Sequence, residues 1–158
     1  MFVALLVILL AAAAVHVTRL EERTLRRGGE IMLLYLLVGY CGIPMVFVSV
    51  ATLVWPGHVA AHLGFPAGNP FEAFLGVAYL GMSLLSVLTL RYRGTFLIGP
   101  AIIWTVFFAG ATGIHLRDFH HRGALTHGGA LIIFTTHGLI AVLLAAALLM
   151  TGLLTKRS

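Results

Sequence analysis

A chain of 158 residues would ordinarily be one soluble domain, but 60% hydrophobic and only 9% charged residues, with a mean hydropathy of +1.05, exclude an ordinary soluble core. The net charge of +5 does not mark a nucleic-acid binder, because the positive residues sit in short connections between apolar runs and not on a polar helix or sheet face. The single cysteine, Cys41, lies inside an apolar run, which excludes an intramolecular disulfide and dithiol redox chemistry. Composition therefore predicts an all-α, polytopic transmembrane helix bundle forming one membrane domain over residues 1–158.

The first apolar run predicts a span over about residues 2–18. Ala11 to Ala14 resemble a signal cleavage region, yet nothing basic precedes the run and Arg19 follows it, which is the charge order of a retained anchor with its N-terminus outside. The next connection mixes Arg19, Arg23, Arg26 and Arg27 with Glu21, Glu22 and Glu30. It allows a Glu22–Arg26 pair one turn apart, with Gly28 and Gly29 providing the reversal.

The second span is predicted over 31–55. Pro44 should kink it by removing a backbone donor, and Trp55 falls where an interfacial aromatic belongs. Between Pro56 and Gly64 a short interfacial helix would place His58 and His62 one turn apart, a spacing that lets two imidazoles share a metal ion.

The third span, about 71–90, has the clearest start: Asn69 as cap, Pro70 at the first helical position, and Glu72 able to reach back to the cap. Gly76 and Gly81 offer close helix approach within it. The fourth span, about 96–116, carries Ala109 and Gly113 as further small packing positions. If that helix runs on by one or two turns, His115, Asp118 and His121 share a third of its circumference, a set of imidazoles and one carboxylate that suits Zn or Cu(II).

The fifth span is predicted over 130–154, with His137 about 12 Å along it from Gly129. An ionisable group at that depth is a functional candidate, for quinone or haem binding, proton relay or an interhelical hydrogen bond. Haem within one chain is disfavoured, because His115 reads as closer to the surface.

Arg19, Arg23, Arg26, Arg27, Arg91, Arg93, Lys156 and Arg157 all fall on one side of this pattern. By the positive-inside rule that side and the C-terminus are cytoplasmic, as in a multi-pass protein of a bacterial inner membrane. His58, His62, His115, His120, His121, His127 and His137 lie on or near the other side. No internal repeat, nucleophile elbow, phosphate loop or zinc-protease motif is present.

The segment Phe65-Pro66-Ala67-Gly68-Asn69-Pro70-Phe71-Glu72, followed by the glycine-spaced span and by His115-Leu116-Arg117-Asp118, resembles an uncharacterised family of small bacterial and archaeal membrane proteins. More remotely it is similar to DoxX-like four-helix membrane proteins, which share a glycine-proline outer turn before an acid-bearing helix. The resemblance covers about residues 55–140 and leaves the first span outside. It implies the fold and topology above and, through the remoter family, an accessory place in a quinone-dependent redox complex.

Two functions follow as expectations. The first is a non-catalytic accessory subunit of a larger membrane complex, surrounded by lipid and packed against other membrane subunits or copies of itself, with no nucleic-acid partner. The second is a metal-binding or quinone-linked redox protein using His58, His62, His115, Asp118 and His121, with His137 as a cofactor ligand.

Overall fold

The computed structural model describes residues 2–63, 70–122 and 134–154, and all regular structure among them is helical. The first helix, α1, spans Phe2–Thr18. Its last carbonyl is taken by Arg23, whose Nη2 donates to Thr18 O at 2.6 Å. The chain turns there and re-enters helix at Leu25, where the Thr24 hydroxyl accepts from Arg27 N at 3.2 Å as an N-cap.

This corrects two sequence expectations. Gly28 and Gly29 sit inside a helix and are not the reversal. Glu22 precedes the helix, so Arg26 pairs one turn forward with Glu30 at 3.0 Å, joined by Arg27 at 3.5 Å. The capping threonine moves the start of the helix upstream, and Glu30 then becomes the carboxylate one turn away.

From Leu25 to Val54 the chain forms one rod of 30 residues made of α2 (Leu25–Leu34), a π-helical segment (Tyr35–Gly42) and α3 (Ile43–Val54). Pro44 stands at the start of α3. Lacking an N–H, it cannot continue the regular ladder, and the rod widens in the two turns before it. Trp55 ends the rod and is 62% exposed. The short α4 follows, Pro56–Leu63, with Pro56 at its first position.

Helix α5 spans Pro70–Leu88, and a turn through Gly94, whose φ of 65° favours glycine, leads into one 3-10 turn and α6, Ile98–Arg122. Pro100 lies in the first turn of α6, where no donor is needed. The described part of the last rod opens on a π-helical turn, Phe134–Gly138, and continues as α7, Leu139–Thr151. Gly152 closes it in the left-handed conformation at φ 63°. Two of these rods, Leu25–Val54 and Gly94–His121, are long and apolar enough to cross a membrane.

The 25–54 rod organises the bundle by changing neighbours along its length. Its α2 half packs on α7 and its α3 half on α5, while α1 and α5 both reach its π-helical middle. Close approach is set by glycine at both ends. A Cβ on Gly29 would lie 2.8 Å from Ala147 O and 2.9 Å from Thr151 N, and one on Gly76 would meet Leu53 at 3.1 Å.

Trp104, Leu33, Leu36, Leu37, Ile140 and Leu144 are buried at the centre. Several buried hydroxyls are satisfied by their own helix, as where Ser83 donates to Tyr79 O at 2.6 Å and Thr52 to Val48 O at 2.8 Å, whereas the buried Thr105 Oγ1 has no partner among the described residues. The outside is apolar too: Phe47 is 72% and Phe74 73% exposed.

Candidate functional site

The densest chemistry lies where the C-terminal part of α6 meets the π-helical turn of the last rod. Leu97 of the 3-10 turn and Ala101, Trp104 and Phe108 of α6 form one buried face, and the three-four spacing continues through Ala111 to His115. His137 projects from the π-helical turn against that face. Its ring stands 5.6 Å from the His115 ring and 5.6 Å from Phe108, edge-on to both.

His137 Nδ1 is 3.0 Å from Thr136 Oγ1, and the Thr136 carbonyl accepts from the Tyr40 hydroxyl at 3.3 Å. Tyr40 comes from the π-helical middle of the 25–54 rod and is itself edge-on to Phe108 and Phe2. Three rods thus contribute to one polar cluster with aromatic walls. Both π-helical segments meet in it, which is where such local widenings are often found in functional sites.

Below the cluster is an aromatic layer. Trp104 stacks on Tyr79 at 6.3 Å and on Phe108 at 5.2 Å, with Phe107 edge-on to both Trp104 and Tyr79. Trp104 Nε1 donates to Ser86 Oγ at 2.8 Å, tying α6 to α5. Glu72 lies seven residues before Tyr79 on the same face of α5, and His115 seven beyond Phe108 on α6, so both stand about 10 Å past the aromatic layer. Both Glu72 carboxylate oxygens are buried without a hydrogen-bond partner among the described residues.

The other candidates are placed as follows. The backbone of α4 puts positions 58 and 62 one turn apart, and His58 is exposed. Helix α6 does run on past residue 116, so positions 115, 118 and 121 share one helix. His115, however, meets His137, while the His121 ring lies 5.6 Å from His120. The side chains of His62, Pro70 and Asp118, and the whole of Asn69, lie outside the described residues. Among the described residues no group of three or more His, Cys, Asp or Glu is placed to hold a metal ion.

Of the small packing positions, Gly76 sits at the α3–α5 contact. Gly81 and Gly113 have open space where a Cβ would be, and Ala109 is exposed. Sequence reading places His115 and His137 at different depths. The structure makes them neighbours, because the described part of α6 keeps His115 on the Trp104 face and the π-helical turn brings His137 to it. Tyr40 escapes a sequence reading, its one signal being a hydroxyl within an apolar run, whereas Thr136 is legible there as a hydroxyl beside His137.

A family model matches the chain over residues 1–157. The chain belongs to the DUF6790 family, a family of unknown function. The match takes in α1, which the resemblance read from the sequence leaves outside, so the DUF6790 unit includes the Phe2–Tyr40 contact at the site. No curated protein and no solved structure matches the chain.

Proposed function

We propose that this DUF6790 protein is a five-span bacterial inner-membrane protein that acts as a non-catalytic accessory subunit of a larger membrane assembly. The arginine-bearing connections face the cytoplasm and the His115–His137 end faces outward, following the positive-inside rule. The remote DoxX-like resemblance is consistent with an assembly that handles quinones.

The observation that carries this reading is the outward face of α6. Gly99, Ile102, Val106, Ala109, Gly110 and Gly113 recur at three-to-four-residue spacing opposite Trp104 and Phe108. A Cβ at Gly99, Gly110 or Gly113 would touch nothing within 4 Å. Ile102 and Val106 also line a shallow apolar groove of about 200 Å³ between α6 and α7. Without water to drive helices together in a bilayer, small residues are what allow a second helix to approach closely enough for packing and Cα–H contacts. A face of this kind, unused among the described residues, supports an intermolecular contact.

Gly113→Leu and Gly110→Leu should therefore remove a co-purifying partner, or a second copy, while leaving the melting temperature of the isolated chain within a few degrees. The check is mild-detergent purification with mass spectrometry of bound subunits. Wild-type protein isolated only as a monomer, with no partner for the variants to lose, would sink the accessory reading.

The His115–His137 contact favours a second reading, a quinone-linked redox role in which the imidazoles hydrogen-bond a quinone carbonyl beside the Tyr40–Thr136 link. On that reading a short-chain quinone raises the melting temperature of wild type, and His137→Leu abolishes the shift. A wild-type protein indifferent to quinone counts against it.

A further inference from the structure

A second groove, of about 270 Å³, runs beside α1 and is lined by Leu9, Leu34, Tyr35, Val38, Gly39 and Leu90. Its floor is where α1 comes down on Gly39: a Cβ there would overlap the Leu9 side chain. Its lining is apolar almost throughout, and polar groups lie beyond one end of it: the Tyr35 hydroxyl is 3.3 Å from His16 Nδ1, and Leu90 is followed by Arg91 in the turn after α5.

The charges at that end are unbalanced. Glu30 is taken by Arg26 and Arg27; Arg19, Arg91 and Arg93 have no ion-pair partner among the described residues, nor do Glu21 and Glu22, so six arginines stand against three glutamates there. The Arg91 guanidinium lies 5.9 Å above the Tyr92 ring, which holds it beside the helix end. An apolar slot that ends beside hydroxyl, imidazole and unpaired guanidinium groups matches one kind of occupant, an amphiphile with an anionic head. A free phosphate would leave the slot unfilled, and a zwitterionic lipid would bring its own cation against the arginines.

We propose that this groove is a binding site for an anionic phospholipid of the cytoplasmic leaflet, one acyl chain lying along Leu9, Val38 and Gly39 and the phosphate beside Tyr35, His16 and Arg91. The site rests on the membrane-spanning reading of the chain and not on its accessory role. Basic pockets between helices on the cytoplasmic side commonly select anionic headgroups, each arginine near the surface being worth about fivefold in affinity.

The test is native mass spectrometry of the full-length protein after exchange into mixed phosphatidylglycerol and phosphatidylcholine nanodiscs. The expected result is preferential retention of phosphatidylglycerol by wild type. Arg91→Gln with Arg93→Gln should lower that retention by about 25-fold, two fivefold losses. Leu90→Trp, which fills the groove at an exposed position and leaves every charge in place, should lower it as well.

Equal retention of the two lipids by wild type, or preference unchanged in both variants, would overturn the site. Partner co-purification reports separately on the accessory reading and is independent of either result. Recovery of the chain in the aqueous fraction of lysed cells would overturn the membrane reading and the lipid site together.

Discussion

Trp104→Ala is expected to be among the most damaging single substitutions in the chain, costing about 3–5 kcal/mol of stability. Trp104 is 0% exposed and touches three aromatic rings, Tyr79, Phe107 and Phe108. Its removal opens a cavity in that layer, and neither water nor lipid restores the dispersion attraction that the indole makes there. The same change removes the donor to the Ser86 hydroxyl, which accepts from Trp104 Nε1 and keeps only its own bond to Met82 O.

Trp104→Phe separates these effects. It keeps most of the ring volume and loses the hydrogen bond, so it should cost about 1–2 kcal/mol beyond the volume change. Reversible unfolding in mixed micelles, followed by circular dichroism and tryptophan fluorescence, would measure both. Because Phe108 also walls the polar cluster, the His115–His137 geometry should loosen in Trp104→Ala and persist in Trp104→Phe.

Gly28 and Gly29 are adjacent and should respond to alanine in opposite directions. Both lie in α2, and glycine in a helix interior costs roughly 0.5–1 kcal/mol relative to alanine. At Gly28 the new methyl group would meet only Met150 Cε, at 3.9 Å, so Gly28→Ala should stabilise by about that amount. At Gly29 it would fall 2.8 Å from the Ala147 carbonyl and 2.9 Å from the Thr151 amide nitrogen, both backbone atoms of α7.

Backbone cannot rotate away as a side chain would, so α2 and α7 must separate. That separation should cost about 1–3 kcal/mol or more. Melting temperatures of the two variants, measured side by side, decide it. Equal shifts would mean that the α2–α7 contact is looser than the structure has it.

Much of the architecture is readable without coordinates. Apolar runs bounded by arginine predict helices, and helices are present from Phe2, through the 25–54 rod, and at 70–88, 98–122 and 139–151. Pro44 predicts an irregular rod, and the π-helical turns precede it. Local signals mislead only where two compete. The doublet Gly28-Gly29 reads as a turn, but Thr24 caps a helix ahead of it, and the missing side chain of Gly29 serves a contact with α7, far along the chain.

The site is less legible, for a definite reason. In a soluble helix the buried face announces itself because the opposite face is polar. In α6 both faces are apolar over most of the length, Trp104 and Phe108 on one side, Ile102 and Val106 on the other, so periodicity does not say which of them turns inward. Without that, the fate of His115 is undetermined, and with it whether His137 has an imidazole for a neighbour.

The sequence by itself determined a helical, strongly apolar chain in which most of the arginines and most of the histidines fall in different connections. Those properties are sums over local composition and need no knowledge of which residues touch. Tertiary structure alone decided that Tyr40 would reach Thr136, 96 residues away, that His115 would stand against His137, and that Gly76 would be used inside the bundle while Gly113 faced out. Each of these depends on the rotation of one rod about its axis relative to another, and steric fit between whole helix faces sets that angle.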